Sequence, residues 1–192
     1  MTSTGIKYPS GYNTWGDGYF SWINPNNITD LDLSYSSSAH PRVQDVWRVV
    51  QLTTTGSSPV GDNLTDETVL DSGVPYEKIF GGESSLWGLS LSPSIINSSS
   101  FGCAFVFSNS EAWADWLAGN NYGFSIPENS IIQGVKAGIT YYMANSRVAT
   151  NIYIDTIGLE VFYTEGESSP SKPQYYFSQL QLNNNFIKRG AL

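Results

Sequence analysis

Histidine and cysteine are almost missing from this chain of 192 residues, which has one of each, His40 and Cys103. A single cysteine allows no disulfide within the chain and no thiolate metal cage. Ser-His-Asp or Cys-His catalysis would depend on His40 alone. Its polar surroundings, Ser-Ser-Ala before it and Pro-Arg after it, favour an exposed loop residue over a catalytic base. The sequence therefore predicts a protein that is not an enzyme.

Charge is also scarce, because charged residues make up 14% of the chain against a typical quarter. The chain has 9 Lys and Arg against 17 Asp and Glu, which gives a net charge of −8 and no basic face for nucleic acid. No segment approaches the ~20 apolar residues of a membrane span. The first residues lack the apolar core of a signal peptide. We expect neither a nucleic-acid partner nor a membrane partner.

Acidic side chains are the remaining candidates for a metal or catalytic site. Glu111 and Asp115 are four residues apart and can form the carboxylate pair of a glycosidase, but a solvated helix face is the better interpretation. Carboxylates in two loops can offer oxygen atoms to Ca²⁺, although their spacing matches no calcium-binding loop. These loop residues are Asp30, Asp32, Asp62, Asp66 and Asp71. No phosphate-binding loop or dinucleotide fingerprint is present. The sequence predicts no cofactor and no metal.

Alternating apolar residues are the strongest signal that the sequence does contain. They fall on every second position from Val135 to Met143, which is the period of a half-buried strand. Tyr122, Phe124 and Ile126 alternate in the same way, and residues 127–130 (Pro-Glu-Asn-Ser) have turn chemistry. Residues 122–143 therefore predict a hairpin of two strands, with a second sheet needed to cover its apolar face.

Further β patterns occur along the chain, whereas helical patterns are nearly absent. Residues 31–35, 43–52, 86–91, 101–107 and 152–163 predict strands. Residues 53–75 predict a long loop that is partly paired at a sheet edge, residues 93–97 a helical turn and residues 111–117 a short helix. Since so many strands must bury their apolar faces against each other, we predict an all-β, jelly-roll-like sandwich of two antiparallel sheets with extended N- and C-terminal arms.

Composition divides the chain into three parts: an N-terminal arm over residues 1–21, a sandwich domain over residues 22–164, and a C-terminal linker and docking arm over residues 165–192. The linker, residues 165–173, is rich in Ser, Pro and Glu. The arm beyond it carries seven large apolar residues: Tyr175, Tyr176, Phe177, Leu180, Leu182, Phe186 and Ile187. So apolar a segment predicts docking, and the alternation in residues 179–182 favours strand addition to a neighbouring sheet. The alternative is a tail folded back on its own domain.

Six segments together resemble a known module. They are residues 22–27 (Trp-Ile-Asn-Pro-Asn-Asn), 86–89 (Leu-Trp-Gly-Leu), 96–97 (Ile-Asn), 101–103 (Phe-Gly-Cys), 122–135 with Phe-Ser-Ile-Pro, and 155–164. Over about residues 22–164 the set resembles a β-sandwich module of tailed-bacteriophage structural proteins. The Phe-Ser-Ile-Pro segment follows the Trp-Gly-Leu segment here, whereas the family has it first, so the strand order is rearranged. The resemblance supplies no catalytic residues.

The resemblance implies a non-enzymatic structural component of a bacteriophage virion, folded in the host cytoplasm and placed in the tail, baseplate or fibre. Its arms would lock onto other virion proteins and copies of itself. One alternative is a capsid decoration protein on the head. Another is a carbohydrate-binding module that contacts a host-surface glycan through Trp15, Trp113 and Trp116, although these tryptophans can equally anchor loops to the core.

Overall fold

The computed structural model describes residues 1–15, 36–40, 46–66, 76–108, 116–145 and 150–166, and these form β-strands with one short helix. The strands are β1 (Thr2–Ser3), β2 (Gly11–Trp15), β3 (Ser36–His40), β4 (Val46–Thr53), β5 (Pro59–Val60), β6 (Tyr76–Gly81), β7 (Gly102–Ser108), β8 (Trp116–Asn120), β9 (Ile131–Asn145) and β10 (Thr150–Thr164); the helix is α1 (Pro93–Ile96). Predicted features at residues 22–27, 31–35 and 111–115 lie outside the described residues.

The strands form two antiparallel sheets. In sheet A the order is β6–β9–β10, and both β1 and β3 pair with the far side of β10. In sheet B the order is β2–β8–β7–β4–β5. The predicted all-β fold, a sandwich of two antiparallel sheets, is confirmed.

The longest pairing joins β9 and β10, which have 15 residues each. Their alternating apolar side chains point to the interior, as the sequence predicts for Val135, Ala137, Ile139 and Tyr141 on β9 and for Ile157, Leu159 and Val161 on β10. A register shift at Asp155 changes the alternation on β10, so Ile154 also faces inward. Trp47 of β4 meets this face from sheet B, with its ring 5.5 Å from that of Tyr141 and 5.2 Å from that of Phe105.

The predicted hairpin over residues 122–143 is wrong in its pairing, because β9 pairs with β10 and β6. Residues 122–127 alternate between exposed and buried positions without joining either sheet. The side chain of Asn97 replaces the neighbouring strand: its Oδ1 accepts from the Ile126 N–H at 2.8 Å and its Nδ2 donates to the Ile126 carbonyl at 2.9 Å. The apolar alternation thus reports burial in the core, and not a hydrogen-bonded ladder.

Two further predictions are wrong in part. Residues 86–91 form turns, with Trp87 at a φ of 56° and Gly88 at a φ of 66°. Trp87 enters the core from this turn, and its Nε1 donates to the Val135 carbonyl at 2.8 Å. Trp116 and Leu117, predicted to end a helix, lie in β8.

Other local predictions are confirmed. The long loop after β4 pairs at the sheet edge through β5, and the helical turn at Pro93 is present as α1, with the Ser92 hydroxyl accepting from the Ile95 N–H. His40 ends β3 opposite Thr150, so it is paired in a strand where the sequence favoured a loop.

Candidate functional site

The first fifteen residues, called the N-terminal strap below, lie along the edges of both sheets. β1 pairs with the end of β10, and β2 pairs with β8 in sheet B. Between them, the Thr4 N–H donates to the Val161 carbonyl at 3.0 Å, and Lys7 exchanges two backbone hydrogen bonds with Leu159 at 2.7 and 2.8 Å. The sequence predicts an N-terminal arm over residues 1–21; within its described part, Thr2–Ser3 and Gly11–Trp15 are strands that pair with the two sheets.

Backbone hydrogen bonds hold the strap more than apolar burial does. Among residues 1–10, Pro9 is buried, Thr4 is half-buried and the others are exposed, with Ile6 at 49% and Tyr8 at 39%. Pro9 lies against Gly119 of β8, since a Cβ placed on that glycine would come within 2.9 Å of the Pro9 Cγ. The strap is therefore anchored at Pro9 and on sheet B, while its first eight residues run along the β10 edge of sheet A.

The outer face of sheet A carries a ladder of cross-strand pairs between β9 and β10. Tyr142 and Tyr153 lie with ring centroids 5.8 Å apart, and the Thr156 hydroxyl donates to that of Thr140 at 3.4 Å. The next two pairs are Gly138 with Gly158 and Lys136 with Glu160. The glycine pair leaves a gap in the middle of this ladder.

The glycine gap is filled by side chains that lie above the sheet. A Cβ on Gly158 would lie 2.9 Å from the Ile6 Cγ2, and one on Gly138 would lie 3.2 Å from the Ile79 Cδ1 and 2.9 Å from the Glu77 Oε1. The free volume that remains is about 30 Å³, enough for one or two water molecules. The gap over Gly138 and Gly158 is too small to enclose a sugar ring or a cofactor. It receives the side chain of Ile6 and is called the Ile6 seat below.

Charge fixes the beginning of the strap. Lys136 forms an ion pair with Glu160, and the Ser3 hydroxyl donates to the same carboxylate. Partial burial of Glu160 opposes its charge, but the hydrogen bonds from Lys136 and Ser3 and the positive charge of Lys136 outweigh this and lower its pKa. Glu160 is therefore ionised at neutral pH and accepts a hydrogen bond from the Ser3 hydroxyl of the strap.

The strap leaves an open cavity of about 260 Å³ on its other side. Ser3, Thr4 and Lys7 line it on the strap, with Tyr163 of β10 and residues 123–125 opposite. The first eight residues thus lie between this cavity and the small gap over the glycine pair, and neither side packs them tightly.

The structure brings two of the three candidate glycan-contacting tryptophans together. Trp15 and Trp116 are cross-strand partners at one end of the β2–β8 pair, and Trp116 is half-buried. Trp113 lies outside the described residues. So do the seven apolar residues of the predicted docking arm: Tyr175, Tyr176, Phe177, Leu180, Leu182, Phe186 and Ile187. The described chain ends at Gly166, whose carbonyl accepts from the Asn129 Nδ2 at 2.8 Å beside the turn before β9.

Some of the side chains considered for catalysis or metal binding lie in the described ranges of the chain. Within those ranges, no three His, Cys, Asp or Glu side chains converge to hold a metal ion, and no helix has the length and apolar character to cross a membrane. Of the candidate calcium ligands, Asp66 forms an ion pair with Lys78 at 2.8 Å. Cys103 is buried in β7, and this burial raises the pKa of its thiol to about 12, so the thiol stays protonated.

No family model matches the chain, and neither the curated proteins nor the solved structures searched give a similar sequence or fold. The role of the strap is therefore inferred from its own contacts. Sequence reasoning missed the seat formed by Ile6 and Gly158. A usable signal was present, since Gly138 and Gly158 interrupt strongly alternating strands, where a glycine marks close approach of another chain segment.

Proposed function

We propose that this protein is a non-enzymatic structural component of a bacteriophage virion, a sandwich in the tail, baseplate or fibre whose terminal segments join it to neighbouring subunits. The observation that carries the proposal is the strap on β10: sheet A has an edge and an outer face shaped to receive an extended chain segment. The motifs that resemble tailed-phage structural proteins support the same assignment.

The interior supports the role of a rigid brick. Aromatic side chains from both sheets meet edge to face, with the Trp47 ring 6.2 Å from that of Phe80 and 5.2 Å from that of Phe105. Packed aromatic cores of this kind resist deformation, since interiors at crystal-like density leave little room for movement. A subunit that transmits force or fixes spacing in a particle needs this property.

The C-terminal arm is proposed to dock on a neighbouring subunit by strand addition. Gly166 leaves β10 beside the exposed turn at Asn129, so the linker of residues 165–173 starts at one end of the sandwich. Burial of one large apolar side chain yields about 1.5–3 kcal/mol, and ordering one residue costs about 1–2 kcal/mol. Seven such side chains offset much of the cost of ordering the segment, and strand addition supplies backbone hydrogen bonds as well.

Truncation after Gly166 tests the docking role. We expect the truncated protein to keep its melting temperature and to lose its larger species in sedimentation velocity. Two full-length double variants add the same charge to opposite faces of the alternating stretch. Leu180→Asp with Leu182→Asp changes the apolar face. Gln179→Asp with Gln181→Asp changes the polar face and is the control for charge. Truncated protein that melts far lower yet still assembles would show that the tail belongs to its own core.

The virion assignment has a direct test of its own. Mass spectrometry of purified particles from the phage that encodes the chain should find the protein at a fixed number of copies per particle. Labelling those particles with an antibody should place it on the tail, or on the head if it is a decoration protein. Its absence from particles would refute the assignment.

Carbohydrate binding is the second candidate, and the register pairing of Trp15 with Trp116 favours it. Aromatic side chains near a sheet edge can stack on the apolar face of a sugar ring. Glycan-array binding that is lost in Trp116→Ala, with the melting temperature preserved, would support this function. Equal binding by the variant and the parent protein would exclude this pair as the site.

A further inference from the structure

The strap divides into two halves according to its backbone pairing. Residues 2–7 form backbone hydrogen bonds with the edge of β10 in sheet A, whereas Pro9 packs on Gly119 and β2 pairs with β8 in sheet B. The crossing between sheets therefore falls at Pro9 and Ser10, where the Ser10 N–H donates to the Asn121 carbonyl at 3.2 Å. The Ser10 hydroxyl also donates to that carbonyl at 2.7 Å, so Ser10 and β2 stay in place and the crossing can act as a hinge only for the residues before it.

The groups that accept hydrogen bonds from these residues, and the glycine that Ile6 contacts, lie on β10. Gly158 provides the seat for Ile6, the Val161 carbonyl accepts from Thr4, and Glu160 accepts from Ser3. Each of these contacts is made by residues 1–8. These residues are joined to the rest of their own chain only through Pro9 and Ser10. The same contacts form when the segment comes from another copy.

Apolar packing holds residues 1–8 only loosely on their own chain. The side chains of Ile6 and Tyr8 are 49% and 39% exposed. A cavity of about 260 Å³ separates Thr4 and Lys7 from residues 123–125. Eight extended residues span at most about 26–29 Å, which reaches an adjacent subunit packed against the same edge. Exchange thus exposes little buried apolar surface.

We propose that residues 1–8 of one copy occupy the β10 edge of a second copy, in an exchange about Pro9 and Ser10. In the closed form residues 1–8 lie on β10 of their own chain, and in the exchanged form they lie on β10 of the second copy. Both forms have the same contacts, so the concentration of neighbouring copies sets the ratio between them. The proposal rests on the proposed assembly role and names the partner, a second copy of this chain. In a particle, where neighbours are fixed side by side, the exchanged form is favoured.

Cysteine pairing across copies tests the exchange. Thr2 and Tyr163 are directly opposite in the register, and paired antiparallel strands hold Cα atoms 4.5–5.5 Å apart, within disulfide range. One preparation carries Thr2→Cys and an affinity tag, and the other carries Tyr163→Cys without a tag. They are unfolded together, refolded at high concentration and oxidised mildly. Cys103 stays in both, since its buried thiol does not compete.

The expected result is a disulfide-linked pair of one tagged and one untagged chain, identified by mass. The matched control replaces Tyr163→Cys with Ile131→Cys, an exposed position in the same sheet that pairs with Thr164. We expect severalfold less linked pair with the control. Ile6→Gly in the tagged chain removes the side chain from the seat without changing the sandwich, and it should lower the yield severalfold.

Two results would overturn the exchange. One is a linked pair that forms equally with Tyr163→Cys and Ile131→Cys, which indicates random collision. The other is a double variant, Thr2→Cys with Tyr163→Cys in one chain, that closes within its own chain while the mixture gives no linked pair. Either result leaves the assembly role testable through truncation at Gly166, so failure of the exchange and failure of the proposed function are distinguishable.

Discussion

The β9–β10 pair and the N-terminal strap meet along one strand and are held in opposite ways. β9 and β10 bury a row of apolar side chains, each contributing about 1.5–3 kcal/mol. The strap buries Pro9 among its first ten residues and depends on backbone hydrogen bonds, each with a net contribution of about 0.5–1.5 kcal/mol. Apolar burial therefore stabilises the β9–β10 pair, whereas backbone hydrogen bonds hold the strap.

Strand β10 serves both regions because side chains alternate along it. Ile157, Leu159 and Val161 point into the core, and Gly158 and Glu160 between them face the strap. Substitutions at neighbouring positions should therefore have unrelated consequences: one set changes folding, and the other changes how the strap is held.

The largest effect is expected from Ile139→Asp, which places a carboxylate on the buried face of β9. An unpaired buried charge costs several kcal/mol out of a total stability of ~5–15 kcal/mol, so the domain should unfold at ambient temperature. Circular dichroism during heating measures this. Thr140→Asp, on the half-buried opposite face, is the control and should melt cooperatively. An unchanged melting temperature for Ile139→Asp would contradict the facing of the strand.

The next effect concerns Asn97, whose side chain stands in for a strand beside Ile126. Asn97→Ala removes both hydrogen bonds and leaves the Ile126 backbone groups unsatisfied, which should lower the free energy of unfolding by about 1–3 kcal/mol in urea titration. Asn97→Asp keeps the acceptor and loses the donor, so it tests the two bonds separately. Ser94→Ala, an exposed change in the adjoining helix, is the control. Equal stability of parent and Asn97→Ala would show that water replaces the amide.

Alternation in the sequence predicts burial better than it predicts pairing. Ile139 and Leu159 face inward as expected, and Tyr122, Phe124 and Ile126 are also buried at alternate positions. The latter three are nevertheless outside the sheets, and at Ile126 the side chain of Asn97 takes the place of a neighbouring strand. Local periodicity carries no information about such a distant partner.

The same limit explains the misassigned Trp87 and the missed strap. The alternation of Trp87, Leu89 and Leu91 imitates a strand, although a left-handed backbone at Trp87 and Gly88 makes a turn there. The strap has few apolar residues, and its place depends on glycines more than a hundred residues away. A glycine in the middle of a strand predicts that another part of the chain approaches closely, but it does not indicate which segment this is.

A smaller effect is expected from Gly158→Ala, which affects the strap and spares the core. The new Cβ meets the Ile6 Cγ2 at 2.9 Å, the end of a flexible side chain that can move. Stability should change by no more than about 0.5 kcal/mol, while hydrogen exchange of the Thr4 and Lys7 amides becomes severalfold faster. Gly134→Ala is the contrast, because its Cβ would lie 2.3 Å from the Gly82 carbonyl oxygen, and it should destabilise far more. Unchanged strap protection in Gly158→Ala would refute the seat.

The smallest effect is the dependence of the strap on pH through Glu160. Hydrogen bonds from Lys136 and Ser3 lower the pKa of this carboxyl below its usual 4.5 in the folded state. A lowered folded pKa means that the stabilisation is complete above the unfolded pKa and is lost as the pH falls through the folded value. Protection of the Thr4 amide should therefore decrease on acidification below about pH 4.5.

Glu160→Gln isolates this contribution from the other carboxylates that titrate in the same range. The variant should hold Ser3 less well at neutral pH and should show a flatter pH dependence of Thr4 exchange, so the two proteins converge in acid. Glu165→Gln, at an exposed carboxylate just beyond β10, is the control and should follow the parent protein. Partial exposure of Lys136 and screening by salt keep the effect small, so added salt should reduce the difference between parent and variant further. Parallel pH profiles for parent and Glu160→Gln would show that Glu160 does not hold the strap, leaving the backbone bonds at Thr4 and Lys7 as its attachment to sheet A.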